Sequence, residues 1–267
     1  MKSIISINRK FMVYTPYELI NLVKQNSKYV DGFEISINYH NEEEVEYLKE
    51  LANYCKINNL HFQVHGDSYL SIEEQITFLK MLENISDYLE YKINVVLHSI
   101  KADTNEESIK LTTEYLTEVV NQIDNNKLII SLENLNDIPE EDRLNIKDVM
   151  PIVANDERIF LTYDIGHELD DFNNEVGFDS SLIPLLSNVH IHTMSYDLYH
   201  DGFDHNPIFK HDINWNILLK AILFLKNNNY DKSIVFEYDL NVCPGDTVEE
   251  KIISYCKSID FVSERFK

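Results

Sequence analysis

Three cysteines in 267 residues, Cys55, Cys243 and Cys256, are too few and too unevenly spaced for a disulfide framework. No CxxC pair occurs, so a zinc knuckle is excluded and a reducing compartment is expected. Six glycines and six prolines leave no Pro/Gly/Ser-rich linker to divide the chain. No GxGxxG follows the first apolar run, no GxxxxGK[ST] is present, and no GxSxG nucleophile elbow appears. Dinucleotide-binding open sheets, P-loop enzymes and serine hydrolases of the elbow type lose their signature residues. No stretch approaches the roughly 18 apolar residues that span a bilayer. The apolar run in the N-terminal MKSIISINRKF is too short for a signal peptide, so a cytoplasmic location is expected.

Basic charge is the other scarcity. Lys and Arg number 23 against 46 Asp and Glu, a formal net charge of -23. Such a surface repels nucleic-acid phosphates and anionic membranes, so neither is expected as a partner. Basic residues near the expected site are few (Lys101, Arg143 and Lys210).

What the chain does have is a regular beat. Short β-branched or aromatic runs recur at SIISIN (3–8), GFEISI (32–37), HFQVHG (61–66), INVVLHS (93–99), KLIISLEN (127–134), IFLTYDIG (159–166), NVHIHTM (188–194) and SIVFEYD (233–239). Their length and composition predict strands. Helical spacing fills most of the gaps. Thr15 with Pro16 opens one helix, and Ser71 with Glu74 opens another as a capping box. In the helix from Asn41, Val45, Leu48, Leu51, Ala52 and Cys55 share one face. Eightfold strand–helix alternation over 267 residues predicts an α/β fold, a single (β/α)8 barrel spanning 1–267. The loop after the seventh strand (195–212) is the longest without periodicity, and long loops are often functional.

In such barrels the chemistry collects at the C-terminal strand ends. Here nearly every strand ends in a side chain able to bind metal: Glu34, His65, His98, Glu133, Asp164 with His167, His190 with His192, and Glu237. Asp201, Asp204 and His205 follow in the loop after the seventh strand. Residues 189–208, VHIHTMSYDLYHDGFDHNPI, hold four of the ten histidines. Alternation puts Val96 on the face of His98, Ser131 with Glu133, Thr162 with Asp164 and Val235 with Glu237, which predicts that the set points inward. Burying so many carboxylates and imidazoles without a cation is costly. A divalent metal is therefore expected, and mixed His/Asp/Glu ligands suit Zn, Mn, Co or Fe.

The motifs VHGDSYL, VVLHS, SLEN, YDIGH, VHIH, HNPI followed by INW, and VFEY occur in this order on successive expected strands. In this the chain resembles the xylose isomerase-like barrel superfamily of sugar isomerases, ketose 3-epimerases and endonuclease IV-type abasic-site nucleases. The resemblance implies a central metal, Mn or Zn, on Glu133, Asp164, His190 and Glu237. It implies proton transfer by Glu133 and Glu237 α to a metal-bound carbonyl, through an enediolate, in a small sugar-like substrate. His167, His192 and Glu34 are then expected as substrate contacts. The nuclease branch implies up to three ions. His65 and His98 would join Glu133 at one, and His167 and His205, with Asp201 or Asp204, would form the other. Phe203 stands where an acid would complete the usual Asp-x-His pair, and Thr193 stands where an acid commonly follows the seventh strand. Three functions remain: isomerase or epimerase, metal-dependent phosphodiester hydrolase, and non-catalytic ligand-binding barrel. The resemblance leaves a homo-oligomer open.

Overall fold

The computed structural model describes residues 1–66, 70–135, 144–169, 180–193, 205–210 and 214–267. Eight parallel strands close into one barrel in sequence order. They are β1 (Lys2–Ile7), β2 (Val30–Ser36), β3 (His61–His65), β4 (Ile93–Leu97), β5 (Leu128–Glu133), β6 (Ile159–Asp164), β7 (Leu186–Ile191) and β8 (Ser233–Phe236). The helices are α1 (Pro16–Asn26), α2 (Glu42–Ile57), α3 (Ile72–Leu89), α4 (Asn105–Gln122), α5 (Ile146–Asn155), α6 (Ile165–Leu169), α7 (Trp215–Asn227) and α8 (Val248–Ser263). All eight expected strands exist, and the (β/α)8 expectation holds. Among the described residues no helix is long and apolar enough to cross a membrane.

Helix starts follow local chemistry. Thr15, Ser71 and Thr247 each cap a helix in a reciprocal box with Glu18, Glu74 and Glu250. In α3, Glu74 N donates to Ser71 Oγ at 3.4 Å while Ser71 N donates to the Glu74 carboxylate at 2.9 Å. Both satisfy helix-end amides that have no partner within the helix.

Every strand ends one to three residues before the sequence expectation, and two of these differences shape the site. The sixth strand stops at Asp164 rather than running to Gly166, because the Asp164 carboxylate accepts from His167 N at 3.1 Å and starts α6. The eighth ends at Phe236, so Glu237 lies just past the ladder, its N donating to Ile191 O at 3.2 Å.

The main apolar core lies between strands and helices, with Phe33, Phe62, Leu82, Ile130, Leu161 and Phe236 fully buried. Inside the barrel the filling differs. Branched aliphatic residues dominate such interiors in general. Here Ile4, Val96 and Val235 share the space with Glu34, Gln63, Asn94, Ser131, Thr162 and Asn188, all buried. These polar groups bond to one another. Gln63 Nε2 donates to Glu34 at 2.6 Å, and Thr162 Oγ1 lies 2.7 Å from Ser131 Oγ and 2.5 Å from Asn188 Oδ1. The register that sets Glu34 beside Gln63 and Thr162 beside Asn188 makes these contacts available.

The capping box is an exposed feature that reads out cleanly. Ser71→Ala should lower unfolding free energy by about 1 kcal/mol in urea denaturation. An unchanged midpoint and slope would contradict the role given to it.

Candidate metal centre

Each candidate ligand comes from a strand end or the residue just after it, where the barrel ladder fixes its direction. Glu133 ends β5, Asp164 ends β6, His190 lies within β7 and His65 ends β3. The ladder pairs Asp164 with His190 and Glu133 with Thr162. One ligand atom each from Glu133, Asp164, His190 and Glu237 lies within 4.8 Å of the others. Ligands at 2.0–2.2 Å from one ion sit up to about 4.4 Å apart across it, so the four atoms are near that arrangement.

His190 is the hub. Its Nδ1 lies 2.9 Å from Glu133 Oε1 and 2.8 Å from Glu237 Oε2. Its Nε2 lies 3.3 Å from Glu34 Oε2. Burial opposes charge on His190, but Glu34, Glu133 and Glu237 outweigh it and hold its pKa well above the ordinary value. Burial would likewise raise Glu133, yet His190, His65 and His98 hold it well below the carboxylate range. Glu237 is lowered in the same way by His190 and His205 against burial. A proton on Nδ1 thus sits where a divalent cation would satisfy the same carboxylates. Asp164 Oδ2 adds a buried oxygen with no hydrogen-bond donor among the described residues. The donor set, its convergence and this orphan oxygen fit a divalent ion.

Three further groups adjoin the centre, of which the set His65, His190 and Glu237 shares two residues with it and the other two lie to either side. His65 Nε2 and His98 Nε2 both approach Glu133 Oε2, at 3.1 and 3.0 Å. Burial disfavours charge on His65, but Glu133, helped by Glu237 and Glu34, raises its pKa to about 9. On the other side Asp164, His167, His192 and His205 also offer ligand atoms within 4.8 Å of one another. His192 Nε2 is 3.3 Å from Asp164 Oδ1 and its ring stacks on His205 at 4.2 Å. His167 Nδ1 lies 2.9 Å from Asn134 O, which leaves Nε2 to face the group. Burial, reinforced by His192, pushes His205 down to about 3, so it is neutral. His205 has φ 57°, a left-handed conformation uncommon for a residue with a side chain. Its neighbours hold it there: Asn206 pairs with Thr193, and Asp239 N donates to His205 O at 2.8 Å. Gly166 makes room on this side. A Cβ there would sit 2.2 Å from the His192 ring.

The structure thus brings together Glu133, Asp164, His190, Glu237, His65, His98, His167, His192 and His205. Asp201 and Asp204 lie outside the described residues. Glu34, expected as a substrate contact, has no exposed surface. Its carboxylate lies between Gln63 and His190, so it touches the ligand rather than the mouth. The sequence reading overlooked Gln63, Asn188 and Asn134. The first two stand two residues before His65 and His190, on the inward parity, so alternation could have found them. Asn134 Oδ1 accepts from Asp164 N at 2.8 Å and its Nδ2 donates to Asp164 O at 3.0 Å, pinning the ligand's backbone.

A carboxylate behind a ligating imidazole fixes its tautomer and typically contributes 10–100-fold in metal affinity. Glu34→Leu should therefore weaken manganese binding by about that factor in a chelator competition, with Glu34→Gln losing less. Equal affinity in all three proteins would remove Glu34 from the site. The metal-free protein should also respond to alkali. His65 is held at about 9 when folded against 6.5 ordinarily. Its contribution to stability is therefore complete below about pH 6.5 and lost as pH rises through about 9. Urea midpoints of the stripped protein should fall between pH 7 and 10, and metal loading should flatten that fall. A flat profile without metal would contradict the electrostatics described.

A family profile described as "Xylose isomerase-like TIM barrel" matches residues 27–258. No curated protein matches the chain in sequence. Among solved structures, the chain is similar to D-psicose 3-epimerase from Clostridium cellulolyticum H10, with 15% identity, TM-score 0.71 and all of both chains covered. It is similar to 3-keto-D-glucoside 4-epimerase from E. coli, with 16% identity, TM-score 0.66 and 99% of each chain covered. It is similar to an AP endonuclease, family 2, from Brucella melitensis, with 13% identity, TM-score 0.61 and coverage of 94% of this chain and 96% of that one. At such identities the structures establish the shared barrel, and the profile match over most of its length places this chain in the xylose isomerase-like TIM barrel family.

Proposed function

We propose that this protein is a metal-dependent isomerase or epimerase of a sugar-like substrate. The observation that carries the reading is the pair Glu133 and Glu237, whose carboxylates flank one ligand nitrogen of His190 at 2.9 and 2.8 Å. Two carboxylates converging on one point are the equipment for proton transfer there, one ionised as the base and one able to act as the acid once protonated. A divalent ion, Mn or Zn, on Glu133, Asp164, His190 and Glu237 supplies a Lewis acid for a substrate carbonyl. Both glutamates are held ionised at neutral pH by their histidine neighbours. One takes the proton from the carbon α to the carbonyl. For isomerisation the same glutamate can return that proton to the neighbouring carbon; for epimerisation the other glutamate, once protonated from solvent, delivers a proton to the opposite face of the first carbon. Glu237, about one-fifth exposed, reaches the mouth, while Glu133 is almost fully enclosed. His167 would hold a substrate hydroxyl; His192, also expected as a substrate contact, is fully buried between Asp164 and His205, so its depth favours a role beside those two residues. The epimerases among the similar structures support this reading by analogy of fold.

One observation favours a second reading, a metal-dependent phosphodiester hydrolase. His65 and His98 converge on Glu133 as a further group of potential ligands, which a one-ion isomerase does not require. The net charge of -23 opposes it, since nucleic acid is a polyanion.

Glu237→Gln tests the first reading. In D2O with the manganese-loaded protein, deuterium should enter fructose α to its carbonyl, and the variant should lose at least about 100-fold in that exchange. Exchange at the wild-type rate would remove Glu237 from proton transfer. Cleavage of an abasic-site duplex, with no exchange into any ketose, would favour the hydrolase.

A further inference from the structure

The mouth of the barrel is larger than the reacting chemistry needs. Beside the metal centre lies a pocket of about 1120 Å³. It occupies the β1–β4 half of the mouth and meets the candidate ligands at His65 and His98. From there it extends over Gly66 and Leu97 to Ile72, Ile100 and Tyr115 on one wall, and to Ser36, Asn38 and Asn8 on another. Pockets that enclose a whole drug-sized ligand run to about 300–1,000 Å³. A free hexose is a fraction of such a ligand and would fill only the end near His65 and His98.

The wall chemistry narrows the occupant. Aliphatic side chains and one tyrosine are interspersed along the lining with neutral hydrogen-bonding groups, Asn8, Asn38 and Ser99 among them. A pyranose ring presents just these two kinds of surface, an apolar C–H face and a hydroxyl edge. Cations are few. Arg9 lines the pocket, but Glu44 lies 3.8 Å from its guanidinium and is buried, its carboxylate also accepting from Asn38 N at 2.8 Å. That offsets the charge of Arg9 and leaves Lys101 as the other cation of the described wall. Among the described lining residues this leaves no second unpaired Lys or Arg beside Lys101 to hold a phosphate.

We infer that the substrate is a glycosylated sugar: a ketose unit at the metal centre carrying a second, neutral sugar ring that lies in the β1–β4 pocket. The inference rests on the isomerase or epimerase reading for the reacting unit, and on the pocket alone for the appended one. Binding the non-reacting ring also gives the enzyme binding energy to spend on orienting the ketose, so substrates that lack it should be slower as well as weaker.

The test uses the manganese-loaded full chain with fructose, isomaltulose, lactulose and fructose 6-phosphate. Calorimetry reads binding, and deuterium incorporation α to the carbonyl in D2O reads turnover. At least one of the two disaccharides should bind about tenfold or more tightly than fructose and exchange faster. Ile72 is 39% exposed at the first turn of α3, so replacing it should not disturb folding. Ile72→Trp narrows the far end of the pocket and should lower disaccharide binding about tenfold more than fructose binding. Fructose binding as tightly as both disaccharides, or fructose 6-phosphate binding best, overturns the inference. If no sugar exchanges deuterium, the proton-transfer reading fails, and the order of binding still decides the pocket. Disaccharide preference that Ile72→Trp leaves intact also overturns it.

Discussion

Carboxylates in the middle of a closed barrel are the constraint on which the rest of this structure depends. Glu34, Glu133 and Asp164 have almost no contact with solvent, and Glu237 is only about one-fifth exposed. An unpaired buried charge is among the most expensive things a fold can contain. Here each carboxylate faces at least one imidazole, and His190 faces three. Without a cation the set holds together with His65 and His190 favoured in their charged form. With a divalent ion the same oxygens keep their counter-charge and the imidazoles are released as neutral ligands. Metal binding and fold stability are therefore two aspects of one electrostatic balance.

The polar barrel interior follows from the same constraint. An aliphatic filling beneath the ligands would leave the back of His190 without a partner and the site in a poorly polarisable setting. Instead Glu34, Gln63 and Asn188 lie under it, and Thr162 and Ser131 continue the bonded layer. Strands hold these groups more rigidly than loops would, which suits a centre that must keep two glutamates in fixed relation. The pocket is lined instead mainly by segments that follow β1 to β4. Ligands on strands and selectivity on loops is the division that lets one barrel serve many substrates.

Much of this was legible from residue order. The strand positions were, because short β-branched runs separated by capped amphipathic segments have few other solutions. Glu133, Asp164 and Glu237 were legible as inward-facing because side chains two apart share a face, and the family resemblance joined His190 to them. Glu34 was legible as an inward carboxylate but not in its role. Sequence gives the face of a residue, not its depth, and its depth makes it a partner of His190. Gln63 and Asn188 were overlooked because each has an ordinary reading as a strand residue until its neighbour across the ladder is known. The β1–β4 pocket was invisible for a further reason: its walls come from segments far apart in the chain, Asn8, Asn38, Gly66 and Ser99. Asp201 and Asp204 fall outside the described residues, so the acid expected beside His205 stays an expectation from sequence.

The central claim is that a divalent ion joins Glu133, Asp164, His190 and Glu237. The most direct measurement is anomalous diffraction from crystals of the protein purified without chelator and soaked in manganese. A strong anomalous peak bounded by those four side chains, with His190 turning Nδ1 to the peak and Nε2 to Glu34, is the predicted result. Occupancy at other positions only, with His190 still hydrogen-bonded between Glu133 and Glu237, would contradict it.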